Sequence, residues 1–493
     1  MKLSGFFKNF CLFFLTGLLI FSLSGCNDDT ANKETPLSSD NINLIFVVSA
    51  DLAYHAPGDI NPDTANLTGQ GLHRSLLMAT YLKEQLLGTK NVTGIYALEP
   101  MTHLQTENNY PDMAAIGSIQ QFALLNQLTV PIKKEDDTYT SCTAYSYPIN
   151  AAYGQGSVPD GVATPRKDLY CPDCQGLAFD DRQGNNLDLA MGIINGNPRG
   201  FFVFSAPWET TLALMDDINQ RQGYALNIPR SYGGPNQVYV ISIPPSGGTR
   251  LVTCNSNLKP SITYPELPAP VVSAPCTHVQ QPYLKTSRIG GVDGAVIPDD
   301  INTRQTIYIV RHAEAHPGPE NRFENGNFVG AGQWRALELP NALLGKINPN
   351  MVYSIDPSQW YTTGFLNVSY VRPSLTVLPY AIASNLPYYL VSNFLIMDDN
   401  QAQLASDFFF TGGKFSNQTV LLAWESTRIK PIINALLKSY GENILPLLPE
   451  EWPVTDYDTI WTVTLDEFGN LTVDNSLCEG IDSENLPAEA PPF

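Results

Sequence analysis

What most constrains this chain is that its landmarks occur twice, in the same order. Between residues 43 and 86 an apolar run, LIFVVSAD, precedes LTGQGLHRSLLMATYLKEQL, whose apolar positions recur every three or four residues like a buried helix face. Residues 305–347 repeat the plan as QTIYIVRHAE and then VGAGQWRALELPNALLGKI. Further on, NVTGIYALEP faces NPNMVYSIDP, and Asp180-Asp181-Arg182-Gln183 faces Asp398-Asp399-Asn400-Gln401. GFFVFSAPWETTLALMDDI then faces TVLLAWESTRIKPIINALL, and NQVYVISIPPSGG faces DTIWTVTLDEFGN. Recurrence in fixed order means two copies of one unit, and alternation of strand and helix makes that unit α/β. Two tandem three-layer α/β/α domains with mostly parallel sheets are expected, at residues 41–257 and 300–480. The Pro-rich stretch 258–299 is the linker, extended because Pro removes amide donors and fixes φ, and 481–493 is a loose tail.

The length of 493 residues accommodates these domains, and 43% apolar with 15% charged residues excludes wholesale disorder. The net charge of −20, spread over both halves, leaves no basic stripe for a phosphate backbone, so nucleic acid is excluded as a partner.

Residues 1–25 read as a secretory signal: Lys2 and Lys8, an apolar run from Phe10 to Phe21, then Leu23-Ser24-Gly25-Cys26. That run is shorter than the roughly 20 residues of a membrane span. The tetrad resembles the bacterial lipobox, which implies a lipid on Cys26, residues 26–40 as a tether, and a lipid-anchored protein of the cell envelope facing periplasm or exterior. Six cysteines remain beyond Cys11 and Cys26: Cys142, Cys171, Cys174, Cys254, Cys276 and Cys478. In an oxidising compartment an even six favours disulfides, and sequence cannot choose among 15 pairings. Cys171-Pro-Asp-Cys174 has metal-ligand spacing, but a zinc site needs a second pair, and none follows; no metal or cofactor is expected.

Ile307 to Glu314, IYIVRHAE, puts Arg311 and His312 where an apolar strand ends, the place where α/β sheets bind ligands. An imidazole is a nucleophile toward phosphorus, and a neighbouring guanidinium holds phosphoryl oxygens and neutralises transition-state charge. The segment resembles the Arg-His-Gly signature of the histidine phosphatase (phosphoglycerate mutase-like) superfamily, with Ala313 in the Gly place. LTGQGLHRSLLMATYL and VGAGQWRALELPNAL resemble its following helix, and VYSIDPSQ with Tyr370-Val371-Arg372-Pro373-Ser374-Leu375-Thr376 resembles its later Ser, Arg and Thr.

That resemblance implies His312 as the phospho-accepting nucleophile, Arg311 and Arg372 as the phosphate clamp, and Glu314 as a group that shapes the pocket or shares acid/base work. His316 is either a substrate contact at the mouth or an exposed turn residue before Pro317. The second His of the family falls at Ser426, or at Glu425 if the strand is counted from Thr419; no His follows His316. Its loss costs on the order of 3 kcal/mol, about a hundredfold in rate. Glu425 replaces it as an acid only if burial keeps it protonated.

The first copy has Val48 and Ser49 where Arg311 and His312 stand, and its His103 is read as structural. Trp208-Glu209 and Trp424-Glu425 are read as one shared structural pair, the Trp packed over the strand end and the Glu bonding backbone amides. Two functions are therefore carried forward. One is an exported, lipid-anchored phosphomonoester hydrolase acting through a phosphohistidine at His312 on a phosphorylated small molecule. The other is a catalytically impaired module that binds an anion or, through its first domain, a protein partner. A glycosidase has no paired-carboxylate motif to support it.

Overall fold

A computed structural model describes residues 35–493 except 55–57, 102, 104, 106–109, 134–137, 154–179, 182–183, 277–285, 289–293, 316–324, 363–366, 392–400 and 450. Cys26, the Cys171–Cys174 pair and His316 lie outside the described residues. Among the described residues no helix is long and apolar enough to cross a membrane.

The first domain contributes β1 (Ile42–Val48), β2 (Gly94–Leu98), β3 (Asn150–Tyr153), β4 (Gly200–Ala206), β5 (Gln237–Ile243) and β6 (Arg250–Asn255). They form a sheet in the order β6-β5-β1-β4-β2-β3. The second domain contributes β7 (Thr286–Arg288), β8 (Gln305–Arg311), β9 (Met351–Ile355), β10 (Tyr388–Val391), β11 (Thr419–Trp424), β12 (Thr459–Leu465) and β13 (Leu471–Cys478). Their order, β7-β13-β12-β8-β11-β9-β10, is the first sheet's order strand for strand, with β7 added at the edge. Because β7 precedes residue 300, part of the expected linker belongs to the second sheet.

Each sheet is parallel on one side of its central strand and antiparallel on the other, where β5–β6 and β12–β13 lie. The side-chain pattern explains the division. β1 and β4 are buried along their whole length, as strands covered on both faces must be, whereas β13 alternates buried with more exposed positions. Helices α1 (Gly69–Thr80), α2 (Ala114–Leu124), α3 (Asn186–Gly196) and α4 (Trp208–Gln222) belong to the first domain. Their counterparts in the second are α5 (Gly330–Ala342), α6 (Arg372–Ala383), α7 (Ala402–Phe410) and α8 (Ser426–Ser439).

The two domains share one core. A single apolar cluster runs from Ile45, Leu76 and Ile116 of the first domain to Leu337, Leu378 and Leu421 of the second, while α3–α4 and α7–α8 close separate outer clusters. Gly117 on α2 lets Leu378 of α6 approach; a Cβ there would lie 3.2 Å from its Cδ2. Polar seams cross the interface: Gln120 Nε2 donates to Asn327 Oδ1 (2.8 Å), Asn325 Nδ2 to the Ser146 carbonyl (2.8 Å) and Ser358 Oγ to Glu99 Oε1 (3.0 Å).

Linker and tail fasten this assembly. Tyr264 donates its hydroxyl to the Leu337 carbonyl, Ala274 N donates to Gly480 O, and Cys276 is disulfide-bonded to Cys478 at the end of β13. The tail is docked rather than loose. Gln121 Nε2 donates to Pro491 O, Thr80 Oγ1 to Phe493 O and Trp334 Nε1 to Glu489 O, so the last residues lie against helices of both domains. Short polar sequence favours a free end only when no side chain satisfies its carbonyls, and here three do.

Candidate active site

At the end of β8, Arg311 pairs with Trp424 of β11, and His312 N donates to Trp424 O at 3.0 Å. The next amide, Ala313 N, donates to Thr376 Oγ1 (2.9 Å), and that hydroxyl donates to Arg372 O (2.7 Å). One threonine thus joins the strand end that carries Arg311 and His312 to the first turn of α6, which carries Arg372.

His312 is buried, and its Nδ1 lies 2.8 Å from the Ala313 carbonyl. A carbonyl only accepts, so Nδ1 bears the proton and Nε2 is left as the basic, nucleophilic nitrogen. Tyr370 and Tyr457 meet the imidazole edge-on, each with its ring centroid 6.2 Å away. The same two rings carry the guanidinium groups: Arg311 Cζ stands 3.9 Å from the Tyr457 centroid and Arg372 Cζ 4.7 Å from that of Tyr370. Arg311 Nη1 donates to the carbonyls of Pro453, Val454 and Asp456, while its buried Nε has no hydrogen-bond partner among the described residues. The loop behind it is rigid, because Asp456 accepts from the amides of Asp458 and Thr459 and from the Thr459 hydroxyl.

Glu314 lies elsewhere. Both its oxygens accept from Arg335 Nε (2.8 and 3.0 Å), and Oε1 also accepts from Ser483 Oγ. The expected pocket-shaping or acid/base role does not fit a carboxylate committed to an ion pair inside the fold. Arg335 also contacts Glu479 (2.5 Å) and Asp458 (3.5 Å). Burial pushes the Glu479 carboxyl up to about 8, against the pull of Arg335. Burial also works against the charge on Arg335, but Glu314 and Glu479 outweigh it and hold the guanidinium proton more tightly than usual.

Glu425 caps α8. Its Oε2 accepts from Thr427 N (2.7 Å) and the Thr427 hydroxyl, and Oε1 accepts from Ser426 Oγ (3.1 Å). Ser426 begins the helix and is buried with Glu425.

In the first domain Ser49 N donates to Ala206 O at 2.9 Å, so Ser49 occupies the backbone place of His312 and Val48 that of Arg311. This register shifts the Trp-Glu pairs. Trp424 ends a strand and Glu425 caps a helix, whereas Pro207 holds the cap position of α4, so Trp208 and Glu209 already stand in its first turn. The pairs are two residues out of register and are not one shared device. Glu209 turns instead to His103, which is wholly buried: Nε2 lies 2.9 Å from Glu209 Oε1 and 3.4 Å from Asp51 Oδ2, and Nδ1 lies 2.7 Å from Asp112 Oδ2. Burial, with repulsion from Glu209, holds the Asp51 carboxyl well above its usual range. Burial alone would lower the His103 pKa, but Asp51, Asp112 and Glu209 raise it overall.

Tyr370, Tyr457, Arg335, Asp51 and Asp112 were given no role by sequence, and Glu209 was read only as half of a Trp-Glu pair. Arg335 left a signal, since Gly71-Leu72-His73-Arg74 and Gly332-Gln333-Trp334-Arg335 recur at one place in the two copies. The glycines are needed there: a Cβ on Gly332 would come 2.8 Å from Glu314 O, and one on Gly71 2.1 Å from Asp59 O. Tyr457 left none, being 145 residues from the His it abuts.

No family model matches the chain, and no curated protein does. Among solved structures it is similar to the protein histidine phosphatase SixA complexed with tungstate, at 18% identity over 37% of this chain and 99% of that one, TM-score 0.21. It is also similar to a mutant phosphoserine phosphatase from Entamoeba histolytica in complex with phosphoserine (13% identity, 35% and 98% coverage, TM-score 0.23). A third is phosphoglycerate mutase from Plasmodium falciparum (16% identity, 39% and 99% coverage, TM-score 0.20).

Proposed function

We propose that the second domain is a metal-independent phosphomonoester hydrolase of the histidine phosphatase type, with His312 as nucleophile. The observation that carries this reading is the fixed tautomer: Nδ1 is tied to the Ala313 carbonyl, which makes Nε2 the nitrogen that bears the lone pair. Attack of Nε2 on phosphorus breaks the ester P–O bond, the alcohol leaves with a proton from solvent, and a phosphohistidine remains; water then attacks phosphorus, releasing phosphate and restoring the imidazole. Arg311 and Arg372 neutralise the phosphoryl oxygens, each guanidinium held by a tyrosine face. Ser426 and the amides of the first turn of α8 border the same strand end.

Both Glu425 oxygens accept hydrogen bonds, the arrangement of a carboxylate cap and not of an acid handing over a proton. Esters with good leaving groups are therefore the favoured substrates. The same observation favours a second reading, in which the site binds an anion, or the first domain a protein partner, without turnover. Export and a lipid on Cys26 complete the proposal, supported by the lipobox-like tetrad and by the Cys276–Cys478 disulfide, which suits an oxidising compartment.

The test is hydrolysis of an aryl phosphate between pH 4 and 8 by the intact chain and by His312→Ala. Turnover lost in the variant supports the hydrolase. Equal, negligible rates, with vanadate binding abolished by Arg311→Ala, support the anion-binding reading.

A further inference from the structure

The reaction at His312 makes no use of the most charged place in the first domain. Asp51 follows β1, His103 and Asp112 follow β2, and Glu209 lies in the first turn of α4, so three chain segments converge at the C-terminal end of the first sheet. All four side chains are at most 2% exposed. The ligand-type atoms of Asp51, His103 and Glu209 lie within 4.8 Å of one another.

Three buried carboxylates converge on one imidazole, a grouping that proteins match by pairing or by a cation. Asp112 on Nδ1 orients the ring so that Nε2 faces the other two acids, which is the carboxylate–histidine–metal arrangement. The second oxygen of Glu209, wholly buried beside Nε2, has no hydrogen-bond partner among the described residues. Tetrahedral zinc with bonds near 2.05 Å needs ligand atoms about 3.3 Å apart. Nε2 stands 2.9 Å from Glu209 Oε1 and 3.4 Å from Asp51 Oδ2, which brackets that spacing.

We propose that Asp51, His103 and Glu209 form a binding site for a zinc-class divalent ion in the first domain, with Asp112 orienting His103. One imidazole and two carboxylates suit Zn2+ and Co2+ better than Ca2+, which takes six or more oxygens. Loading replaces the Nε2 proton by the ion and gives the first domain an electrostatic centre of its own.

The test uses the intact chain in detergent, stripped with a chelator and titrated with Co2+ followed by visible absorption, then with Zn2+ by calorimetry. One equivalent should bind with the d–d spectrum of a nitrogen- and oxygen-ligated ion and be displaced by Zn2+. Glu209→Gln, which keeps the shape, and Asp112→Asn should each weaken binding by at least tenfold. X-ray absorption on the Zn2+-loaded wild type is a check independent of whether the variants fold, with one imidazole and carboxylate oxygens expected. No stoichiometric uptake by the wild type overturns the proposal. So does a thiolate-to-cobalt charge-transfer band, which would put the ion on cysteines, or unchanged affinity in folded Glu209→Gln.

Discussion

The two strand ends, built on one topology, solve different electrostatic problems. In the second domain the acid after the strand, Glu314, is taken by Arg335 on the following helix, while Arg311 and His312 meet tyrosine rings and backbone carbonyls. In the first domain the helix arginine is Arg74, and it takes Asp59 rather than Asp51. The backbone agrees, because Val329 N donates to Glu314 O where Thr68 N donates to Asp59 O. Asp59 is thus the packing equivalent of Glu314, eight residues later than counting from the strand places it. That displacement releases Asp51 to His103 and fills the first strand end with carboxylates. The difference in charge between the two strand ends follows from which acid the helix arginine captures.

The sharpest way to break this contrast is at the nucleophile. His312→Ala should lower aryl phosphate turnover by on the order of 10³-fold or more, while Ser49→His, which puts an imidazole at the equivalent place, should restore none of it in that background. Measured rates in the double variant above those of His312→Ala would erase the distinction between the strand ends. Removing one clamp is the next largest effect: Arg372→Ala should lower kcat/KM by about 10²-fold, read by steady-state kinetics.

How much of this was legible in sequence depends on whether a contact is local. The succession of strands and helices along the chain, its repetition, and the place of Arg311 and His312 at a strand end followed from periodicity, because each β-α unit is a local pattern. The role of Glu314 was not legible, since its partners Arg335 and Ser483 are 21 and 169 residues away. The match of Trp208-Glu209 with Trp424-Glu425 misled because identical dipeptides stand on opposite sides of a helix cap. The docked tail was hidden for a similar reason: its carbonyls meet Thr80, Gln121 and Trp334, which no local pattern links to residues 489–493.

Stability sharpens the comparison further. Arg335→Ala strands three buried acids and should cost about 3–5 kcal/mol in chemical denaturation, whereas Arg74→Ala strands one and should cost roughly 1–2 kcal/mol. The last effect is on pH dependence. Glu479 has a folded pKa of about 8 against an ordinary 4.5, so the native state holds a proton that the unfolded state has released between those values. Its contribution to stability is full below pH 4.5 and is lost as pH rises toward 8. Glu479→Gln should flatten that decline, by about 1–3 kcal/mol over the window, in denaturation curves taken at pH 5 and pH 8.

The most direct measurement is to mix the intact chain with excess aryl phosphate, quench in alkaline denaturant, where phosphohistidine survives, and map the modified peptide by mass spectrometry. Phosphate on the peptide bearing His312, and none on that bearing His103, is the expected result. Phosphate on His103, or hydrolysis with no phosphohistidine at all, would contradict the assignment of the chemistry to the second strand end.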